Sequence, residues 1–293
     1  MKARLSDFDN VTFGAWLDFW YETYKKPTLK PYSLRNIEQV IRLHTPAWLK
    51  AYCLADITIF DVDSALSEFN PSRTLVYVKQ VWHNAMRKAC NLGIISKNVM
   101  DYVDPVRYRK KRGNALTLVE QRTFLESLEG QRVKWLMLFY LYTGVRRAEA
   151  LTLEWCDVDE EEGLILIKGT KTEGSFRHVL LTDDVKAILE GQRQQAEQER
   201  GTKYERKHPE RIFDYTPSYV SQAFKKICPT HHLHDLRHTY ITRCAESGVN
   251  VTVCQQLVGH STPQLTMGIY THVMDEFKRK EGMKFTINPT FKG

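Results

Sequence analysis

The sequence predicts a mainly α-helical protein carrying one small antiparallel β-sheet, an α+β chain in two domains. Three observations predict it. Apolar residues recur at helical spacing through most of the chain. Only two short runs, Leu164-Ile165-Leu166-Ile167 and Phe176 to Leu181, read as strands, and Gly169 to Ser175 joins them as a hairpin with Lys171 near its turn. A basic segment punctuated by Pro105, Gly113 and Asn114 separates the two helical stretches. We therefore read a helical domain over 1–104, a basic interdomain linker over 105–115 and a second domain over 116–293.

In the first domain Phe13, Trp16, Phe19, Trp20 and Tyr24 form one helical face, with Thr12 placed to cap it. This stripe reads as core rather than as a surface for stacking bases. Pro27 and Pro31 break the pattern, and Leu34, Ile37, Val40 and Ile41 make a second face after Ser33. A third segment, Val62 to Phe69, follows the cap candidate Asp61. The longest runs from Arg73 to Leu92, with Leu75, Val78, Val81, Trp82 and Ala85 inward and Gly93 as its stop.

The second domain opens with a capping-box pattern, Thr117-Leu118-Val119-Glu120. Helices are expected from Leu118 to Leu128, Val133 to Tyr142 and Arg146 to Leu151. After the two β runs, Asp183 opens another helix, and the polar stretch from Gln192 to Arg211 suits a helix end followed by a mobile loop. Helices return from Ser218 to Ile227, from Asp235 to Ser247 with Gly248 as the stop, and from Thr252 to Leu257, with a short one near Asp275 to Gly282.

Composition excludes several classes. A hydrophobic fraction of 42% and a charged fraction of 26% are those of an ordinary folded protein. The longest apolar run, Trp135 to Tyr142, is too short to span a bilayer, and no signal-peptide pattern is visible, so neither secretion nor membrane residence is expected. None of the six cysteines forms a CxxC pair, which fits mostly buried thiols in a reducing cytosol. A net charge of +7 favours an anionic partner, though weakly.

The chemistry resides in four dispersed motifs: Thr143-Gly144-Val145-Arg146-Arg147-Ala148-Glu149, His234-Asp235-Leu236-Arg237-His238, Leu257-Val258-Gly259-His260 and Ile269-Tyr270-Thr271-His272. Two arginines, a few histidines and a late tyrosine suit the attack of a phenol on a phosphodiester. A phenol has a free pKa of about 10 and needs a positive field or a base to become a nucleophile. Guanidinium forks match two phosphate oxygens and stabilise the charge of the transition state. A leaving oxygen needs a proton, which a lysine can supply. The step needs no metal, no cofactor and no ATP. Taken singly, each residue has a bland reading: a surface arginine at a helix start, structural histidines, a histidine capping a helix end, one of fourteen tyrosines. A zinc site built from Cys228, His231, His232, His234 and His238 is a further alternative, weakened by the lack of a second Cys or His cluster at a customary spacing.

Together and in this order, the motifs resemble the tyrosine recombinases of the phage-integrase and Xer kind, over essentially the whole chain. The resemblance implies a helical core-type DNA-binding domain followed by a catalytic domain. It implies that Arg146 and Arg237 grip the scissile phosphate, that Lys171 protonates the departing 5′ oxygen, and that His234 assists proton transfer at the tyrosine. It makes His260 a hydrogen-bond donor to the phosphate and Tyr270 the nucleophile that forms a 3′-phosphotyrosyl bond. Glu149 and Asp235 are implied to orient the arginine and the histidine. Lys168 is a rival for the lysine role, set below Lys171 because Thr170-Lys171-Thr172 resembles the family hairpin.

The implied partner is double-stranded DNA, bound by a homotetramer on two sites, with accessory DNA-bending or excisionase proteins possible in principle and no membrane. The implied setting is the nucleoid of a bacterial or phage-infected cell. Arg107, Arg109, Lys110, Lys111 and Arg112 are read as phosphate contacts, against the plainer reading of a solvated hinge. The tail after Val273 is read either as docking on a neighbouring subunit or as packing on its own domain. Two departures from the family pattern stand out. The spacing from His260 to Tyr270 is one residue longer than the commonest, and helical sequence near residue 13 leaves no room for an arm-binding domain. Two other readings use the same residues: a type IB topoisomerase, and a DNA-binding protein of this fold without catalysis.

Overall fold

The computed structural model describes residues 8–108, 114–169, 176–260, 262–264, 266–271 and 273. The chain divides into two compact units between Lys111 and Arg112.

The first unit is helical. Thr12 caps α1 (Phe13–Trp20), accepting from the Ala15 amide at 3.3 Å. The aromatic stripe is core: Phe13, Trp16 and Trp20 are buried, and the Trp16 indole N–H donates to the Ala85 carbonyl at 2.9 Å. Pro31 does not end a helix here but starts α2 (Pro31–Leu43), where its missing N–H costs nothing. A short α3 (Ala47–Ala51) follows, too brief to show a period in sequence. Asp61 is not the cap of α4 (Ile59–Ser67); Thr58 is, and Asp61 completes its capping box by accepting from the Thr58 amide at 2.9 Å. The long α5 (Arg73–Asn91) buries Leu75, Val78, Val81, Trp82 and Ala85, and left-handed Gly93 follows its end.

In the second unit α6 (Leu118–Ser127) carries the expected capping box on Thr117, and α7 (Lys134–Thr143) is a central, mostly buried helix. The short α8 (Arg147–Leu151) leads to a three-stranded antiparallel sheet of β1 (Val158–Asp159), β2 (Leu164–Lys168) and β3 (Phe176–Leu180). Ile165 pairs with Val179 and Ile167 with Arg177. The two-residue β1 is too short to be legible in sequence. Asp183 opens α9 (Asp183–Gln198), with Thr182 as its cap. The stretch after it is tied down: Arg132 grips Glu199 in a bidentate pair (2.7 and 2.9 Å), and Asp214 accepts from the amides of Lys207 and His208 at 2.7 and 3.1 Å. Then come α10 (Pro217–Ile227), α11 (Leu233–Glu246) and α12 (Val251–Val258). The core of this unit gathers Leu136, Met137, Phe139, Ile165, Ile167, Phe213 and Leu236. A smaller cluster sits under α11 and α12, built on Ile241, Ala245, Cys254, Val258 and Tyr270.

Candidate active site

Arg146 starts α8. The preceding helix α7 stops at Gly144, whose φ of 63° is left-handed, and a Cβ there would lie 2.5 Å from the Tyr240 ring. The chain turns tightly and presents Arg146 in extended conformation at the N-cap. The Arg146 amide donates to Glu149 Oε2 at 2.8 Å and its Nη1 to Glu149 Oε1 at 2.7 Å. Its Nη2 donates to the Gly259 carbonyl at 2.6 Å, and 38% of the side chain remains exposed.

Arg237, on α11, is buried. Nη1 donates to the Gly144 carbonyl and Nη2 to the Val258 carbonyl, both at 2.6 Å, while Nε has no partner among the described residues. The backbone acceptors on both arginines are carbonyls at the ends of α7 and α12, where the helix dipole is negative and the last oxygens lack intrahelical donors. Burial still pushes Arg237 down to about 9, and Arg146 and Arg177 add to the effect.

Glu149 is buried beneath both. Burial raises its carboxyl, but hydrogen bonds and charge from Arg177, then Arg146, override that and hold it at about 2. Arg177 donates Nη1 to Oε1 at 3.1 Å and Nη2 to Oε2 at 2.7 Å, while its Nε donates to the Leu257 carbonyl at 2.8 Å.

The histidines line the same pocket. His234 and His238 meet edge to face, with ring centres 5.0 Å apart. Burial pushes His234 down to about 4, helped by His238 and Arg237; His238 is lowered too, chiefly by burial. His260 follows left-handed Gly259 (φ 66°), and its Nδ1 lies 2.8 Å from Thr266 Oγ1. Burial, then the charges of Arg237 and Arg146, push it down to about 4. At neutral pH these rings are uncharged, so each can accept a proton. Asp235 supports the start of α11: it accepts from the His232 amide at 2.8 Å and lies 3.5 Å from His231 Nδ1. Its direct contacts are thus with His231 and His232, one turn before His234. His231 also faces Glu120 at 3.3 Å, and among the described residues no three His, Cys, Asp or Glu side chains gather as a metal site.

Tyr270 stands apart. It is buried in the small cluster with Ile241, Ala245, Cys254 and Val258, flanked by Tyr240 and Cys244. Its hydroxyl is buried and makes no hydrogen bond among the described residues. Burial raises the phenol pKa, and the neighbouring Cys254 thiol raises it further. The structure therefore brings Arg146, Glu149, Arg237, His234 and His260 together, while the Tyr270 hydroxyl makes no hydrogen bond to either guanidinium.

Lys171 lies outside the described residues, as do Arg109, Lys110, Lys111, Arg112 and the tail beyond Val273. Arg107 is exposed. The rival Lys168 is committed elsewhere, with Nζ 2.6 Å from Asp157 Oδ1 and 3.9 Å from Glu154. Sequence reasoning gave no role to Arg177 or Thr266. Arg177 had a readable signal: strand alternation sets it on the face of buried Val179, and an inward arginine demands a carboxylate. Thr266 had none.

The family model for the phage integrase family matches residues 115–276, more than half of the chain. The chain belongs to the phage integrase family. Residues 12–64 match the phage integrase N-terminal SAM-like domain. Among this family's tyrosine recombinases, the chain is similar to XerA of Saccharolobus solfataricus, 30% identical over 178 residues, 61% of this chain and 58% of the relative. It is also similar to the XerC-like tyrosine recombinase of Caldanaerobacter subterraneus (29% identical, 59% of this chain and 53% of the relative) and to a tyrosine recombinase of Thermosipho africanus (29% identical, 88% and 89%). The chain thus spans little more than half the length of the first two. Solved integrases share the fold. The Tn1549 transposon integrase, in complex with a circular intermediate DNA, aligns with a TM-score of 0.73 at 17% identity, covering 94% of this chain and all of that one. A lambda integrase dimer bound to a core site gives 0.74 at 19%, covering 91% and 79%.

Proposed function

We propose that this member of the phage integrase family is a site-specific recombinase that cleaves and rejoins duplex DNA through a 3′-phosphotyrosyl intermediate. One observation carries the reading: the guanidinium groups of Arg146 and Arg177 share the buried carboxylate of Glu149, and the buried guanidinium of Arg237 adds a third positive charge within electrostatic reach of them. Buried positive charge in excess is costly unless an anion joins it. The Nε of Arg237, unpartnered among the described residues, and the exposed face of Arg146 are open to one, and a phosphodiester fits both in shape and in charge.

In this reading the Tyr270 oxygen attacks the phosphorus while Arg146, Arg237 and His260 hold the non-bridging oxygens. Neutral His234 takes the phenol proton. The P–O5′ bond breaks, Lys171 protonates the departing oxygen, and the phosphodiester becomes a phosphotyrosine. Attack by a 5′ hydroxyl of a partner strand reverses these steps, so no ATP is needed. The Tyr270 hydroxyl, buried and without a hydrogen bond among the described residues, must reach the phosphate that the guanidinium groups hold. Likeness to DNA-bound integrases supports a duplex partner; assembly as a tetramer on two sites, and any accessory protein, are inferred from the family alone. Arg107 and the basic residues 109–112 supply backbone contacts in this reading, and neutralising them should flatten the salt dependence of binding.

The test is covalent capture. Nicked duplexes with a randomised core are incubated with the protein and resolved in SDS. The reading expects a denaturant-resistant adduct that Tyr270→Phe does not form. No adduct from the wild type on any duplex would refute it.

A further inference from the structure

The carboxylate of Glu149 is shared. Oε1 accepts from Arg146 Nη1 and Arg177 Nη1, and Oε2 accepts from the Arg146 amide and Arg177 Nη2. Its acceptor positions are thereby filled. The third nitrogen of Arg177 ties β3 to the Leu257 carbonyl in the last turn of α12. The arginine stem also closes over Gly259, where a Cβ would lie 2.9 Å from Arg177 Cδ. Arg177 thus touches both the carboxylate that holds Arg146 and the helix end that precedes His260, and the two touch each other through Arg146 and Gly259.

We propose that Arg177 is a positioning residue for strand cleavage: it holds Glu149 and the end of α12 so that Arg146 keeps its net positive charge for the phosphate. The inference rests on the recombinase reading. The physical argument is one of counter-charge. A buried carboxylate paired with Arg146 alone would neutralise it and draw it inward. With Arg177 supplying a second guanidinium, Glu149 orients Arg146 without cancelling it. Lysine replaces the charge but not the planar fork, nor the simultaneous bond to Leu257.

The experiment compares wild type, Arg177→Met, Arg177→Lys, Glu149→Gln and the Arg177→Met/Glu149→Gln double variant. Each is measured for folding by circular dichroism, for binding to intact duplex, and for single-turnover cleavage of the nicked duplex that the wild type selects. Arg177→Met is expected to bind within about threefold of wild type but to cleave at least tenfold or so more slowly. Arg177→Lys is expected to recover part of the rate. The double variant should lose no more than the worse single one, because both substitutions act on one unit. Wild-type cleavage by Arg177→Met, or losses that multiply in the double variant, would overturn the proposal. If Arg177→Met does not fold, Arg177→Lys carries the test: slower cleavage with unchanged binding supports it, and wild-type cleavage overturns it. If the wild type itself forms no adduct, the recombinase reading falls and this inference with it.

Discussion

The guanidinium of Arg146 donates to the carbonyl of Gly259 at 2.6 Å, joining positions 113 residues apart. With Arg237 bonded to Gly144 and Val258, it means that backbone carbonyls hold both guanidinium groups in place. In the recombinase reading these carbonyls are neutral acceptors that a charged phosphate oxygen displaces. Arg146→Lys keeps the charge and loses the fork. We expect cleavage to fall about 10²-fold with binding little changed, measured by single-turnover kinetics.

The hydroxyl of Tyr270 is buried and makes no hydrogen bond among the described residues. A buried polar group without a hydrogen bond destabilises the fold, by about 1–3 kcal/mol. Tyr270→Phe should therefore melt at the wild-type temperature or above it while forming no covalent adduct. A lower melting temperature would show that the phenol is hydrogen-bonded in the resting protein.

Gly144 and Gly248 both have left-handed φ, at 63° and 74°, but only at Gly144 is the space for a Cβ already filled, by Tyr240. Alanine at Gly248 should cost only the backbone strain, about 1 kcal/mol. Alanine at Gly144 should cost distinctly more and should displace the turn before Arg146. Urea unfolding of the two variants measures the difference.

His234 and His260 have folded-state pKa values near 4, below their ordinary 6.5. The unfolded chain therefore binds protons first, and stability should fall as pH drops from 6.5 to 4. Glu149 works at lower pH: its depressed pKa stabilises the fold above about 4.5, and that contribution is lost as pH falls through about 2. A bound phosphate would raise both histidine pKa values. DNA binding near pH 5 should then take up protons, seen by calorimetry in buffers of different ionisation enthalpy. Proton release would contradict the placement of the phosphate.

Lys168 is paired with Asp157 at 2.6 Å, which favours Lys171 for the proton-donor role. Lys171→Ala should cleave slowly and be restored by a 5′-thiol leaving group, which needs no proton. Lys168→Ala should lose little and gain nothing from the thiol. The opposite pattern would exchange the two assignments.

Much of this was legible in the sequence. Helical spacing gave the aromatic core of α1 and the inward face of α5, because burial repeats along a helix. The order of the four motifs gave the family. The rest depended on contacts between distant segments. Asp61 looked like a cap because an acidic residue suits either the cap or the third position, and only the turn geometry chooses Thr58. Thr266 meets His260 by a contact between residues six apart that no period encodes. The burial of Tyr270 among Ile241, Ala245 and Cys254 depends on how α11 and α12 close over it, which a motif cannot express.

The central claim is that the Tyr270 oxygen becomes esterified to the cleaved strand. Mass spectrometry of peptides from the trapped protein–DNA adduct tests it most directly. The account predicts a nucleotide remnant on the peptide containing Tyr270, linked through its phenol. A remnant on any other residue would contradict it.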